Sequence, residues 1–281
     1  MPELPEVETI RAGLARHLPG RRFTAATLYW PGCVDRPPPE QFVEQIAGRR
    51  IAAVERRGKY LILRLDDGGA LIVHLRMTGR LRWLPPDAEP DRQTRAILFL
   101  DDGHELHFTD QRKFGRLSLV PDETALRERL AKLGPEPLGP ELTPGRLHEM
   151  VRRRHSQLKP LLLDQRFLAG LGNIYVDEAL FRARLHPLRR CDTLGDAEID
   201  RLYEGVVGAL RQGIANRGTT LASYRDAWGT AGRNQERLLV FRQQGRPCPN
   251  CGVPIQKTRV AGRGTHYCPA CQPMSPMQNA K

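Results

Sequence analysis

Four cysteines near the C-terminal end constrain the fold of this 281-residue chain more than any other feature. Cys248, Cys251, Cys268 and Cys271 form two C-x2-C pairs with 16 residues between them. Each pair can place two thiolates about 2.3 Å from one Zn²⁺, and two pairs complete a tetrahedral site. Because protein sulfurs fill all four positions, the predicted zinc is structural and not catalytic. The alternative is a redox C-x2-C motif, but two pairs at this spacing favour metal.

The net charge of +12, from 44 Lys and Arg against 32 Asp and Glu, predicts a polyanionic partner such as nucleic acid. A GC-rich genome would explain the preference for arginine over lysine, but not the net excess. Basic side chains between the cysteine pairs predict a zinc-braced hairpin that contacts a DNA groove; they are Lys257, Arg259, Arg263 and His266. We find no run of 18 apolar residues and no apolar leader, so we expect no spanning helix and a cytoplasmic location.

Hydrophobic periodicity divides the chain into strand-like and helical parts. Apolar side chains recur at helical spacing in residues 3–18. Six short segments between residues 23 and 110 partly alternate apolar with polar side chains, and Asp-Gly turns separate some of them. Such strands are typical of a β-sandwich or barrel. Residues 133–144 are rich in proline and predict a linker. Helices are then predicted at 174–184 and 196–215, beside a GLGN turn like that of a helix-turn-helix, and short strands return from 238.

The first residues, MPELPEVETI, can supply a nucleophile. If Met1 is removed, Pro2 becomes an N-terminal secondary amine; such groups titrate near pH ~8 and retain a neutral, nucleophilic fraction at pH 7. Glu3 would lie beside this amine. The alternative is purely structural, because proline is tolerated in the first helical turn and acids are favoured there.

These segments resemble, in order, the motifs of one known family. The resemblance rests on MPELPEVETI (1–10), RRGKYLILRL (56–65), HLRMTGRL (74–81), TDQRKFGRL (109–117), LGPEPL (133–138), LKPLLLDQ (158–165), GLGNIYVDEALF (170–181), RGTTLASY (217–224) and the four cysteines. The chain is similar over essentially its whole length to the formamidopyrimidine-DNA glycosylases, bacterial base-excision enzymes for oxidised purines.

The resemblance implies an α+β multidomain fold. It places an N-terminal catalytic β-sandwich with an N-terminal helix at 1–133, a linker at 134–144 and a helix-two-turns-helix DNA-binding domain at 145–237. A zinc-finger β-hairpin follows at 238–272, and a tail at 273–281 is expected to be disordered. We expect one structural Zn²⁺ per chain, no organic cofactor and no membrane partner. The implied partner is double-stranded DNA with an oxidised base, bound at the bacterial nucleoid by a monomer.

The family's chemistry implies roles for five residues. Pro2 attacks the sugar carbon that carries the damaged base, and the resulting Schiff base allows strand cleavage by β,δ-elimination. Glu3 is the catalytic acid, since a carboxyl shielded from water can have the raised pKa that this role needs, and Glu6 is a supporting acid. Lys59 contacts phosphate and assists β-elimination. Arg263 binds phosphate through its guanidinium fork and assists δ-elimination.

The resemblance also implies contacts that hold DNA with one base turned out of the helix. Met77 and Phe114 match apolar wedges, although either alone would be assigned to a core, and Arg112 matches the donor to the orphaned cytosine. Further DNA contacts are implied at His74, Gln93, Arg154, Lys159 and Asn173, the last at a phosphate-binding helix start. Lys159 and Glu178 fall where the family has either supporting residues or contacts with the DNA strand. The loop implied to read the flipped base through its backbone amides is Gly218, Thr219, Thr220 and Leu221.

Some positions depart from the family pattern. Arg217 stands where the family often has glycine, Gly232-Arg233-Asn234 stands where an aromatic is common, and Gln93 replaces a histidine. These differences concern loop dynamics and base preference and not the chemistry. Lys113 stands where arginine is also seen, and Cys33 and Cys191 receive no role.

Two alternative functions remain open from the sequence. One is an endonuclease VIII-like glycosylase, which removes oxidised pyrimidines on the same fold. The other is a non-catalytic zinc-finger protein that binds DNA and needs neither Pro2 nor Glu3. The start ELPEVE and the trio Met77, Arg112 and Phe114 favour the enzyme for oxidised purines.

Overall fold

The computed structural model describes residues 1–274, so residues 275–281 of the predicted tail lie outside the described part. The chain forms two compact units. The first contains Met1–Lys132 and Asn216–Arg233, and the second contains Leu133–Ala215 and the described residues from Asn234 to 274. The predicted domain of residues 145–237 is therefore divided between them. Asn216–Arg233 joins the first unit because its backbone bonds there: the N–H of Trp83, for example, donates to the carbonyl of Ala227 over 2.9 Å.

The first unit is a β-sandwich with three α-helices among its described residues. Its elements are α1 (Leu4–Leu14), β1 (Phe23–Leu28), β2 (Val34–Arg36), α2 (Pro39–Ile46), β3 (Ile51–Arg57), β4 (Tyr60–Leu65), β5 (Ala70–His74), β6 (Gly79–Leu84), β7 (Thr94–Leu100), β8 (Glu105–Asp110), β9 (Arg116–Val120) and α3 (Glu123–Leu130). One sheet has the order β1-β7-β8-β6 and the other β2-β9-β5-β4-β3. Alternating apolar residues of both sheets share one buried core, as in other sandwiches.

Helix α1 adds its apolar face to this core. Val7, Ile10 and Leu14 are buried there at helical spacing. Glu3 and Glu6 form a capping box at its start, which satisfies backbone N–H groups that have no partner within the helix. The predicted helix of residues 3–18 is longer than the observed one, because turns replace the helix after Leu14.

The second unit is helical and carries the C-terminal hairpin. Its elements are α4 (Pro144–Arg152), α5 (Leu158–Leu163), α6 (Asn173–Arg182), α7 (Asp196–Ala215), β10 (Gln256–Val260) and β11 (Arg263–Tyr267). Helices α6 and α7 pack closely because α7 has glycines at the contact. A Cβ on Gly205 would lie 2.5 Å from the carbonyl oxygen of Ala179, and one on Gly213 would lie 2.5 Å from the ring of Tyr175.

The predicted linker packs within the second unit. The N–H of Gly134 donates to the carbonyl of Gln165 over 2.9 Å, and the N–H of Ala169 donates to the carbonyl of Pro135 over 3.1 Å. Within residues 1–274, no helix combines the length and apolar character needed to cross a membrane.

Candidate active site and zinc centre

The start of α1 buries two carboxylates beside the N-terminal residues. Glu3 and Glu6 are only 2% and 1% exposed, and Pro2 is also buried. One carboxylate oxygen of Glu6 accepts the N–H of Glu3 over 2.8 Å, and the other accepts the N–H of Thr219 over 2.6 Å. Glu6 therefore ties the helix start to the segment Gly218–Leu221, which the sequence assigned to base recognition.

Tyr224 reinforces this junction from the other side. Its hydroxyl lies 3.4 Å from the carbonyl oxygen of Glu6 and 3.2 Å from that of Arg217. Burial, with the negative charge of Glu6, raises the pKa of Tyr224 far above its usual range. The hydroxyl therefore stays protonated and acts as a donor at any physiological pH.

Lys59 and His74 lie near each other on the sheet that α1 covers. Lys59, in the turn between β3 and β4, is 7% exposed. Burial, together with the positive charges of Arg76 and Lys59, lowers the pKa of His74 to about 3. The neutral ring accepts the N–H of Arg76 at Nδ1 over 3.0 Å, which leaves the proton on Nε2. His74 can thus donate one hydrogen bond without adding charge.

The two predicted wedge residues are on the surface and not in the core. Met77 is 40% exposed and Phe114 is 46% exposed. With Met1, Arg76 and Arg116 they line an open cleft of about 380 Å³. Their placement removes the alternative that these side chains are ordinary core residues.

Asp110 holds the loop that carries Arg112 and Phe114. Its buried carboxylate accepts the N–H of Gly115 over 2.6 Å, the N–H of Arg112 over 3.2 Å and the hydroxyl of Thr78. Gly115 lies so close to the core that a Cβ there would be 2.5 Å from the ring of Phe108. The exposed Arg112 guanidinium lies 4.8 Å above the ring of Phe114. The arginine and the aromatic ring are therefore presented together.

The remaining predicted DNA contacts fall in different settings. Arg154 is exposed just after α4, and Gln93 is half-buried beside β7, where its backbone carbonyl accepts the N–H of Asp110. Asn173 begins α6, and its side-chain amide donates to the carbonyl of Gly264 over 2.9 Å. The exposed Arg263 immediately precedes that glycine, so Asn173 acts on the position of the hairpin that carries Arg263.

Lys159 requires a correction. Its side chain is fully buried, and its ammonium lies 2.5 Å from Asp177 Oδ1 and 3.3 Å from the carbonyl oxygen of Gly264. Asp177 Oδ2 also accepts the N–H of His266 over 2.9 Å. Because Asp177 and the Gly264 carbonyl already engage this fully buried ammonium, the structure contradicts a direct DNA contact and agrees with the supporting role that the family resemblance also allowed. Lys159 and Asp177 instead attach the β10-β11 hairpin to α5 and α6.

Breaking this buried pair is expected to destabilise the protein strongly. Asp177→Asn leaves the buried Lys159 ammonium without its counter-charge, which costs about 3–5 kcal/mol in the free energy of unfolding. Glu149→Gln is the control, because it breaks an ion pair with Arg146 in which both side chains are more than half exposed; its expected cost is below about 1 kcal/mol. Urea unfolding of both variants measures the difference. Equal midpoints would contradict the assignment.

Glu178 is a second buried acid, at a position where the family has either supporting residues or contacts with the DNA strand. Its carboxylate accepts the backbone N–H groups of Leu239, Val240 and Phe241 at 2.9–3.0 Å. Burial raises the pKa of Glu178, while these three donors oppose the shift. The Asp-Glu pair inside the apolar run of α6 (Asn173–Arg182) is a further sequence signal for such a role, since buried acids need buried partners.

The four cysteine sulfurs are close enough for one zinc ion. They all lie within 4.8 Å of one another. Cys248 and Cys271 have their Sγ atoms 3.8 Å apart, and Cys251 and Cys268 have theirs 3.5 Å apart. A tetrahedron with Zn–S bonds of about 2.3 Å has edges of about 3.8 Å, so the donor set fits the ion. Backbone N–H groups at 3.4 Å from the sulfurs of Cys248 and Cys268 further favour thiolates.

Comparison with known proteins decides the family. Residues 1–117 match the formamidopyrimidine-DNA glycosylase N-terminal domain, residues 133–224 match its H2TH domain, and residues 245–273 match the zinc finger found in FPG and IleRS. The chain belongs to the formamidopyrimidine-DNA glycosylase family. The predicted α+β fold, the glycosylase and abasic-site lyase activity on oxidised purines, and the structural zinc are thereby confirmed, and nothing favours the endonuclease VIII alternative.

Relatives in this family resemble the chain along nearly its full length. It is 50% identical to the formamidopyrimidine-DNA glycosylase of Herpetosiphon aurantiacus, covering 97% of this chain and 100% of that protein. The Pelotomaculum thermopropionicum enzyme is 49% identical, with 97% and 99% covered. The Lactococcus lactis glycosylase bound to DNA with an abasic site superimposes with a TM-score of 0.91 at 37% identity, covering 96% of this chain and 99% of that one. A glycosylase complex with DNA containing carbocyclic 8-oxo-G has a TM-score of 0.90 at 36% identity, with 97% and 100% covered.

Proposed function

We propose that this enzyme binds duplex DNA with 8-oxoguanine or a formamidopyrimidine turned out of the helix. It then excises that base with the amine of Pro2 as the nucleophile and cleaves the DNA strand. The observation that carries the proposal is the double hydrogen bond of Glu6, which joins the helix start beside Pro2 to the backbone of Thr219. One carboxylate thus bonds both to the residue next to the proposed nucleophile and to the proposed base-recognition loop. Related enzymes are bound to DNA with Fapy-dG or an abasic site.

The chemistry begins with the amine of Pro2 after Met1 has been removed. Its lone pair forms a bond to the sugar carbon while the bond from that carbon to the base breaks, and the base leaves with the bonding electrons. Glu3, adjacent and buried, donates a proton to the ring oxygen or to the leaving base. The Pro2 nitrogen then gives up its N–H proton, and the lone pair so restored displaces the ring oxygen, which leaves with the bonding electrons and takes up a proton. The sugar ring opens, and the Schiff base between the sugar carbon and Pro2 results.

Strand cleavage follows from the electron-withdrawing Schiff base. Loss of a proton from the adjacent sugar carbon expels the 3′ phosphate, and a second elimination expels the 5′ phosphate. Lys59 binds phosphate during the first elimination, and Arg263 binds it during the second. The exposed position of Arg263 in the hairpin and the rigid support beneath Gly264 suit this role.

DNA with an extruded base needs its gap filled. Met77 and Phe114 are exposed apolar side chains of suitable shape for insertion into the stack. Arg112 lies over Phe114, from where its donors can reach the pairing edge of the orphaned cytosine. His74, Arg154 and Asn173 remain proposed phosphate contacts. One lesion needs one enzyme molecule, so we propose a monomer that acts on chromosomal DNA in the bacterial cytoplasm.

A comparison of two damaged duplexes tests this function. Excision from DNA with 8-oxoguanine opposite cytosine is expected to be much faster than excision of thymine glycol from a duplex of otherwise identical sequence, and undamaged DNA is the control. The reverse order would favour the endonuclease VIII type of enzyme. Binding to both duplexes without release of either base would favour a non-catalytic DNA-binding protein.

A further inference from the structure

An ion pair closes the base of the loop between Arg217 and Asp226. The Arg217 guanidinium lies 2.5 Å from Asp226 Oδ2. Asp226 Oδ1 accepts the N–H groups of Trp228 over 3.0 Å and Thr230 over 2.9 Å. The aspartate side chain is only 3% exposed, whereas that of Arg217 is 58% exposed. A buried carboxylate thus receives a counter-charge from the opposite end of the loop.

Asp226 is a fixed point, because the residues that follow it are anchored in the first unit. The carbonyl of Ala227 accepts the N–H of Trp83 in β6 (Gly79–Leu84). The ring of Trp228 lies against Gly13 of α1, where an added Cβ would be 2.2 Å from the tryptophan. The Arg217 guanidinium, which pairs with Asp226, is therefore held in a fixed position relative to α1.

Arg217 occupies a backbone conformation that glycine would adopt more easily. Its φ of 59° is in the left-handed region, and the following Gly218 has a φ of 80°. Its carbonyl oxygen accepts the hydroxyl of Tyr224, and Thr219, two residues later, donates to Glu6. The strained arginine therefore stands directly before the residues proposed to read the base.

We propose that Arg217 and Asp226 form a clasp that orders Gly218–Leu221 before DNA binds, and that this pair is a determinant of selectivity for the damaged base. The proposal rests on the base-reading function proposed for this loop. Excision depends on the clasp because the loop must contact the flipped base. Cleavage of DNA that is already abasic does not depend on it, because no base remains to be read. Both residues are positioning residues and make no contact with the reacting atoms.

Two variants that change charge in opposite directions test the clasp. Arg217→Gly removes the guanidinium and relieves the left-handed strain, so it should fold. Asp226→Asn retains an oxygen for Trp228 and Thr230 but cannot pair with the cation. We expect both to lower kcat/KM for 8-oxoguanine excision about fivefold, with cleavage of abasic DNA unchanged. The double variant should lose no more than either single variant, and Arg217→Lys should restore part of the loss.

Electrostatic attraction to DNA would give a different pattern. The Arg217→Gly variant, which has a lower net charge, would then bind DNA more weakly than the wild type. The Asp226→Asn variant, which has a higher net charge, would bind DNA more tightly. Opposite changes in the two variants would therefore overturn the clasp. Equal losses on abasic DNA and on 8-oxoguanine would also overturn it, because they would indicate a general structural defect.

Amide hydrogen exchange separates failure of the clasp from failure of the loop's function. The N–H of Thr219 is protected by its bond to Glu6, and we expect both variants to exchange it about fivefold faster in the DNA-free protein. Unchanged exchange would overturn the clasp itself. Faster exchange with normal excision would show that the clasp orders a loop that does not read the base, which would overturn the selectivity claim and the loop's proposed function.

Discussion

An enzyme whose Pro2 nitrogen is converted into an amide is expected to lose covalent attachment to damaged DNA. A non-cleavable extension before Pro2 achieves this, because the nitrogen lone pair is then delocalised into the peptide bond and is no longer nucleophilic. Excision of 8-oxoguanine should fall by about 10⁴-fold or more, as when other enzymes lose a nucleophile. Trapping with borohydride, which reduces a Schiff base to a stable adduct, measures the effect directly.

Pro2→Gly is the matched control for the extension. Once Met1 is removed it retains an N-terminal amine at the same place, so it should still form a trapped adduct at a lower rate. The intact mass of the wild-type protein should lack one methionine residue, since Met1 would otherwise block the nitrogen. If the extended enzyme trapped DNA as efficiently as the wild type, the nucleophile would be an amine other than that of Pro2. The buried Lys59 would be the first candidate.

Removal of zinc is expected to abolish tight DNA binding. The four cysteines lie beside the hairpin that carries Arg263, and the ion supplies much of the folding free energy of such small metal sites. Chelation, or the variant Cys251→Ser, should release one zinc per chain and lower the affinity for an abasic duplex by about 100-fold. Metal analysis and fluorescence anisotropy at one fixed salt concentration measure the two effects.

Cys33→Ser provides the control for a cysteine outside the metal site. Cys33 is buried in the first unit, its thiol donates weakly to the carbonyl of Arg95, and burial raises its pKa to about 11. A serine hydroxyl can make the same hydrogen bond, so this variant should retain zinc and DNA affinity. DNA binding that survives complete loss of the metal would show that the finger is not needed for the interface.

Local signals predicted the elements whose own residues dictate their conformation. Apolar spacing alone identified the helix Asp196–Ala215, and alternation with Asp-Gly turns identified strands such as Ala70–His74. The strand Gly79–Leu84 was not predicted, because its alternating arginines resemble a solvated segment until it pairs with Glu105–Asp110. The cysteine spacing required no tertiary information, since two close pairs already define a tetrahedral donor set.

The sequence by itself determined the family and the zinc site and predicted the candidate active-site residues, because these depend on motifs read along the chain. Only the tertiary structure showed that Lys159 is buried on Asp177, 18 positions later, and that Met77 and Phe114 are exposed. It also showed that Asn216–Arg233 belongs to the N-terminal unit and that Arg217 forms an ion pair with Asp226. The physical reason is that burial and ion pairing depend on which distant segments meet in space. A motif shows only that a lysine or an arginine is present. Whether that side chain is available to DNA or stabilises the fold depends on the residues that contact it in the tertiary structure.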